Sequence, residues 1–317
     1  MKSSFQFLLY RLNVVDLPSS LFPDFEDVVR TNDEIKEIIE KSCNSKFDDK
    51  QETQTAIYRW GLREFIDYGG DHEIGHYVSV IFARSMEQKD GLVLTDSSIL
   101  SGTSESSPPL ATTIAILFNL TRHLVVVEYN SEIVGSGTWK TVLKGIFSSC
   151  SSTLKKCSTI ELEEVSEQHS IIELFQSFER VTRVKVSLRL PNPELSRQTK
   201  QLYDDLEEGG IREYLQDMKN PSGISQQENA RPYSSLALAE DGYKDGEVLI
   251  EGFKKGRYEK EMSGIDAVRG RLDVLRDFVR GALNNAKAKE TKQILKSISD
   301  EIDRPNPKAA SYKHLTL

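Results

Sequence analysis

Ile114-Ala115-Ile116-Leu117-Phe118 and Leu124-Val125-Val126-Val127-Glu128-Tyr129 are two apolar runs joined by the short connection Asn119 to His123. Runs of Ile, Val and Phe broken by a polar link predict a β-hairpin. Its density of Ile and Val places this pair near the centre of a sheet.

Working outward, Phe5 to Val15 reads as a strand rather than a secretory leader: Arg11 and Asn13 interrupt its apolar run. Val28, Val29, Ile35, Ile38 and Ile39 recur at helical spacing on an acidic helix ending near Lys41. Thr53 to Ile66 predicts a long strand, Gly69-Gly70-Asp71 a turn, and His76 to Met86 the returning strand. Trp139, Val142, Leu143, Ile146 and Phe147 mark one face of a helix, followed by a strand near Ile160 to Val165 and a short helix through Ile171 and Phe175.

Arg180 to Leu190 alternates Val181, Val184, Val186, Leu188 and Leu190 with Arg183, Lys185, Ser187 and Arg189, which predicts a strand with one apolar and one basic face. A helix over Leu195 to Glu208, short strands near Leu236, Val248 to Ile250 and Arg257 to Met262, and a closing helix from Asp266 through Ile298 complete the expectation. Helices and antiparallel hairpins without a βαβ rhythm give the class α+β, mostly antiparallel sheets with flanking helices in two lobes. The expected domains are 1–177, an N-terminal α+β unit, and 178–317, a C-terminal α+β unit with a basic face.

The 317 residues carry a net charge of −8, unevenly spread. From Gly252 to Leu317 there are 15 Lys and Arg against 9 Asp and Glu, which leaves −14 on the remainder. Such asymmetry fits a basic working face on an acidic body and equally the solvated side of charged helices, the commoner case. No run of apolar residues is long enough to cross a membrane. Cys43, Cys150 and Cys157 have neither the even count of a disulfide framework nor the close pairs of a zinc knuckle. A cytoplasmic protein without membrane association is expected.

His72-Glu73-Ile74-Gly75-His76 has the form of a zinc-hydrolase motif. That chemistry needs a helix, because only an i, i+4 spacing turns both imidazoles to one metal and leaves the Glu as base for its water. The surrounding glycines and the strand formers Val78, Val80, Ile81 and Phe82 favour a hairpin. A zinc-dependent metallohydrolase on this segment is kept as the alternative function. No catalytic or metal-binding residue is assigned, and no cofactor is expected. His123 is expected as a turn residue, and Gly135-Ser136-Gly137 as a tight turn.

The candidate nucleic-acid-binding residues are Arg180, Arg183, Lys185, Arg189, Lys254, Lys255, Arg257, Lys260, Arg269 and Arg271, cations able to neutralise phosphates without reading bases. Finally, Tyr58-Arg59-Trp60-Gly61, Thr121-Arg122-His123-Leu124-Val125-Val126-Val127-Glu128-Tyr129 and Arg189-Leu190-Pro191-Asn192-Pro193 give the chain a resemblance to an uncharacterised bacterial family. That family is similar in build to the phage-exclusion and defence proteins typified by lambda RexA and the Kiwa B subunit. The resemblance implies a non-enzymatic DNA-binding role in bacterial anti-phage defence, as a homodimer and with a phage-encoded or defence-system partner protein. It carries over no catalytic residue.

Overall fold

The computed structural model describes residues 6–16, 31–54, 56–71, 73–88, 91–94, 99–102, 110–135, 137–165, 170–189, 202, 204–206, 208–211, 213–262, 269–271 and 288–303. The class is α+β, built on antiparallel sheets. The strands are β1 (Gln6–Asp16), β2 (Asp49–Glu52), β3 (Ala56–Asp71), β4 (Gly75–Gln88), β5 (Gly91–Leu94), β6 (Ile99–Gly102), β7 (Ala111–Asn119) and β8 (Leu124–Glu128), then β9 (Ser158–Glu164), β10 (Arg180–Arg189), β11 (Glu213–Lys219), β12 (Leu249–Lys254), β13 (Arg257–Met262) and β14 (Arg269–Arg271). The helices are α1 (Asn32–Ser42), α2 (Ser131–Val134), α3 (Thr138–Thr153), α4 (Ser170–Gln176), α5 (Arg231–Leu238) and α6 (Ala288–Asp303).

The large sheet runs β14-β1-β8-β7-β4-β3-β2, with β9 also paired to β1. The hairpin β7/β8 sits in the middle of it, as its apolar density requires. Alternation sends Ile114, Ile116, Phe118, Val125 and Val127 to one face, where Ile35, Ile38 and Ile39 of α1 and Trp139, Leu143, Ile146 and Phe147 of α3 join them. Ala115, Leu117, Leu124 and Val126 go to the other face and meet Leu295, Ile298 and Ile302 of α6. Both faces are covered, and every residue from Leu124 to Glu128 is buried. A capping box starts α1: Thr31 Oγ1 accepts from Glu34 N at 3.2 Å, and Glu34 Oε2 accepts from Thr31 N at 3.0 Å.

The smaller sheet has the order β11-β10-β12-β13. Val181, Val184, Val186, Leu188 and Ile250 pack beneath Ile171 and Phe175 of α4 and Leu236 of α5. The opposite face stays open at Leu215, Tyr258 and Met262. The expected domain boundary near residue 177 falls between α4 and β10, which share this core, while β14 returns to pair with β1 and α6 packs on the large sheet.

Four expectations need correction. Gly69-Gly70-Asp71 is the end of β3, paired with β4, and the turn falls at Glu73 and Ile74 instead. Leu236 lies in a helix, because Pro232 sits in the first turn of α5, where a missing N–H costs nothing. Arg269 to Arg271 is a strand rather than the start of the closing helix; pairing with Gln6, Phe7 and Leu8 decides it. The strand β11 was not expected at all. Of the helix expected over 195–208, residues 202, 204–206 and 208 are helical and the rest lie outside the described residues.

Arg11, only 5% exposed, joins the two lobes. Its Nη1 donates to the Arg122 carbonyl at 2.8 Å and its Nε to the Asp241 carbonyl at 2.9 Å, while its guanidinium lies 4.6 Å from the Tyr243 ring centre. Among the described residues no helix is long and apolar enough to cross a membrane.

Candidate nucleic-acid interface

In β10, period-two alternation puts Arg183, Lys185, Ser187 and Arg189 opposite the buried valines. A register shift between Val181 and Arg183 brings Arg180 alongside Phe253 of β12. Cross-strand pairing then fixes the rest of the open face. Lys219, Asp217, Leu215 and Glu213 stand beside β10, and Glu251 and Phe253 stand next to Lys260 and Tyr258 of β13. Lys255 and Gly256 form the β12/β13 turn with φ of 51° and 72°. Two left-handed residues between the paired Lys254 and Arg257 suit the twist of a two-residue hairpin.

The small sheet thus gathers eight of the ten candidate cations. Arg269 and Arg271 sit on β14 in the large sheet instead. Not all eight are available. Arg183 is held by Asp217 at 2.9 and 3.1 Å and by Glu251 at 3.2 Å. Hydrogen bonds from Arg183 and Lys219 hold the Asp217 carboxyl well below its usual range. Lys254 points to the core side, 3.0 Å from Glu261 and over the Phe178 ring. Arg189 is turned inward: it pairs with Glu161 of β9, with Asp245 at 3.1 Å and with Glu213 at 3.7 Å, so it joins the lobes. Arg180, Lys185, Lys255, Arg257 and Lys260 have no ion pair among the described residues.

Two residues that the sequence reading passed over complete the face. Phe253 and Tyr258 meet edge to face at 5.6 Å, and Arg180 lies 4.3 Å over the Phe253 ring. Tyr258 is 57% exposed, and its hydroxyl donates to Glu251 at 2.8 Å, which pushes its pKa up. Phe253-Lys254-Lys255-Gly256-Arg257-Tyr258 is a hairpin signal that could have revealed the pair, since residues flanking a two-residue turn by equal distances face each other.

The His72 to His76 segment is built otherwise than zinc hydrolysis needs. Glu73 and Ile74 lie in the turn between β3 and β4, and His76 lies in β4. His76 Nε2 is 2.7 Å from Asp67 Oδ1, while Glu73 faces Lys292 at 3.6 Å. The His72 side chain lies outside the described residues. No helix presents the pair, and among the described residues no group of three His, Cys, Asp or Glu is arranged to hold a metal ion.

A family model described as Domain of unknown function (DUF4747) matches residues 106–264, half of the chain. The chain belongs to the DUF4747 family. The matched DUF4747 segment contains the central hairpin β7/β8, helix α3, strand β9 and the whole of the small sheet with its open face. Strands β1 to β6, β14 and helix α6 lie outside it. No curated protein matches the chain.

Proposed function

We propose that this DUF4747 protein is a non-enzymatic nucleic-acid-binding protein that holds DNA on the open face of its small sheet. The observation that supports it is the Arg180–Phe253–Tyr258 stack on the open face, with Lys185, Lys255 and Lys260 around it. Aromatic rings on an open sheet offer stacking to unpaired bases, and cations with no acidic partner offer contacts to the phosphates between them. The face therefore suits single-stranded DNA better than duplex, whose bases are closed to stacking.

Fluorescence anisotropy with a labelled single strand across a salt series tests the reading. About four phosphate contacts give a slope of log K against log salt near −3, at roughly −0.7 per contact. Phe253→Ala removes one stacking platform, worth about 1–3 kcal/mol, or about 5- to 150-fold in affinity. Binding without a salt dependence, or untouched by Phe253→Ala, rejects the proposal. The resemblance to phage-exclusion proteins would place this activity in bacterial anti-phage defence, in the cytoplasm and as a homodimer. Plating phage on cells with and without the gene tests that setting, and equal plaque counts across a broad phage panel would remove it.

A further inference from the structure

A second surface lies at the rim of the small sheet. Strand β11 ends the sheet order, and among the described residues no strand lies beyond it. Such an edge pairs with another chain unless it is short, bulged, broken by proline or guarded by charge. Strand β11 has seven residues and no Pro, and it pairs with β10 without a register shift. Leu215 on it is 64% exposed, and Ile211 just before it is exposed as well.

Pairing with β10 fixes which backbone groups of β11 point outward. Asn220 N donates to the Thr182 carbonyl at 2.9 Å, so Asn220 turns its backbone toward β10. Bonded and non-bonded positions alternate along an antiparallel ladder, so Tyr214, Gln216 and Met218 do the same. Glu213, Leu215, Asp217 and Lys219 therefore turn their N–H and C=O groups to the outside.

A second copy of β11, related by a two-fold axis at Gln216, meets these groups in register. Odd positions then face odd positions, and all four outward residues fall on hydrogen-bonded pairs. Glu213 stands opposite Lys219 of the second copy at both ends of the pair, and Leu215 reaches Leu215 of the second copy along the diagonal. Both end residues are exposed: Glu213 is 3.7 Å from Arg189, and Lys219 is 3.0 Å from Asp217 on its own strand. The opposite rim, β13, lacks this complementarity. Glu179 N donates to the Phe253 carbonyl at 2.8 Å, so Phe253 turns its backbone toward β10 and Tyr258, Lys260 and Met262 turn theirs outward. A two-fold axis at Lys260 or at Glu259 sets a charge directly against its own copy, which destabilises a strand pair.

We propose that β11 is a self-association edge, where two chains pair antiparallel about Gln216 and join their small sheets into one, with both open faces on the same side. The inference gives a dimer its interface and does not rest on the DNA reading, since association is measured without nucleic acid. A strand pair buries less than the roughly 800 Å² per partner of a standard interface, so a micromolar dissociation constant is expected. Sedimentation equilibrium of the full chain between about 1 and 200 µM should then show reversible passage from monomer to dimer. Glu213→Lys alone and Lys219→Glu alone each set like charges at both ends and should weaken association about tenfold or more. An equimolar mixture of these two variants restores opposite charges at both ends and should dimerise as the wild type does. Leu215→Pro removes an outward N–H and leaves the bonds to β10 in place, so it should abolish the dimer with an unchanged circular dichroism spectrum. Phe253→Ala should leave the dimer intact whatever it does to DNA binding. A wild-type chain that stays monomeric throughout the range, or a folded Leu215→Pro variant that still dimerises, overturns the proposal. Charge variants that do not recover on mixing overturn the register about Gln216.

Discussion

Replacing Arg11 by Met tests whether one buried guanidinium couples the two lobes. The substitution keeps most of the side-chain volume and removes hydrogen bonds to the carbonyls of Arg122 and Asp241 and a ring contact with Tyr243. Hydrogen bonds involving a charged group contribute about 1.5–3 kcal/mol each, and a desolvated cation–π contact about 1–2. Against that, the variant no longer buries a charge, which returns part of the loss. A net destabilisation of about 3 kcal/mol is expected. Because one carbonyl belongs to the turn of the central hairpin and the other to the segment after α5, the loss should fall on lobe coupling. Urea unfolding followed by Trp fluorescence and by far-UV circular dichroism should then give two separated midpoints in place of one. Trp60 and Trp139 both lie in the large-sheet core, so fluorescence reports that lobe alone. A loss below about 1 kcal/mol with coincident transitions would refute the coupling role.

Other consequences are as direct. Burial, assisted by the Arg11 charge, pushes the His123 pKa down to about 4. The unfolded chain then binds the extra proton, so this group's contribution is complete above the unfolded value of about 6.5 and is lost as pH falls toward 4, by about 3 kcal/mol. His123→Asn, which tolerates the φ of 50° at that position, should flatten this slope in urea titrations from pH 4 to 7, and an unchanged slope would assign it elsewhere. Glu163 works in the opposite sense. Burial raises its pKa to about 7, so the folded protein holds the proton and stability falls as pH rises from about 4.5 to 7. Glu163→Gln should therefore stabilise the protein at pH 8 by about 2 kcal/mol after allowance for screening, and a destabilised variant at that pH contradicts the assignment. Metal analysis of purified protein should find less than one zinc per chain; a stoichiometric zinc lost in His76→Ala would contradict the strand geometry at that position. Arg189→Ala, which strips Glu161 and Asp245 of a partner, should destabilise the fold by about 3 kcal/mol, whereas Lys185→Ala should change stability by less than about 0.5 kcal/mol and weaken DNA binding.

Local periodicity carried much of the architecture. The hairpin of residues 114–128, the strands expected over 53–66 and 76–86, the helix bearing Trp139 and Phe147, and the alternating strand at Arg180 were all legible in the sequence, because each follows from how side chains repeat along a helix or strand. The reading that His76 begins a strand came from the same source. Signals failed where the element's own residues are indifferent. Strand β11, Glu213-Tyr214-Leu215-Gln216-Asp217-Met218-Lys219, has no β-branched residue, and β14 has three residues with a glycine in the middle. Only pairing with β10 and β1 makes strands of them.

The basic face shows the limit most plainly. Alternation placed Arg183, Lys185 and Arg189 on one side of β10, and that was correct. Which of these cations are occupied was decided by partners distant in sequence: Glu161 takes Arg189 across 28 residues, and Asp217 takes Arg183 across 34. Phe253 and Tyr258 become a platform because a two-residue turn sets them side by side, and Asp48 can pair with both Arg59 and Arg63 because Gly61 leaves it room. Local alternation told which side each residue would face; what stood opposite it came from the packing of distant segments. A side chain's direction is set by its own backbone, but its free charge is set by whatever the fold brings within hydrogen-bonding distance.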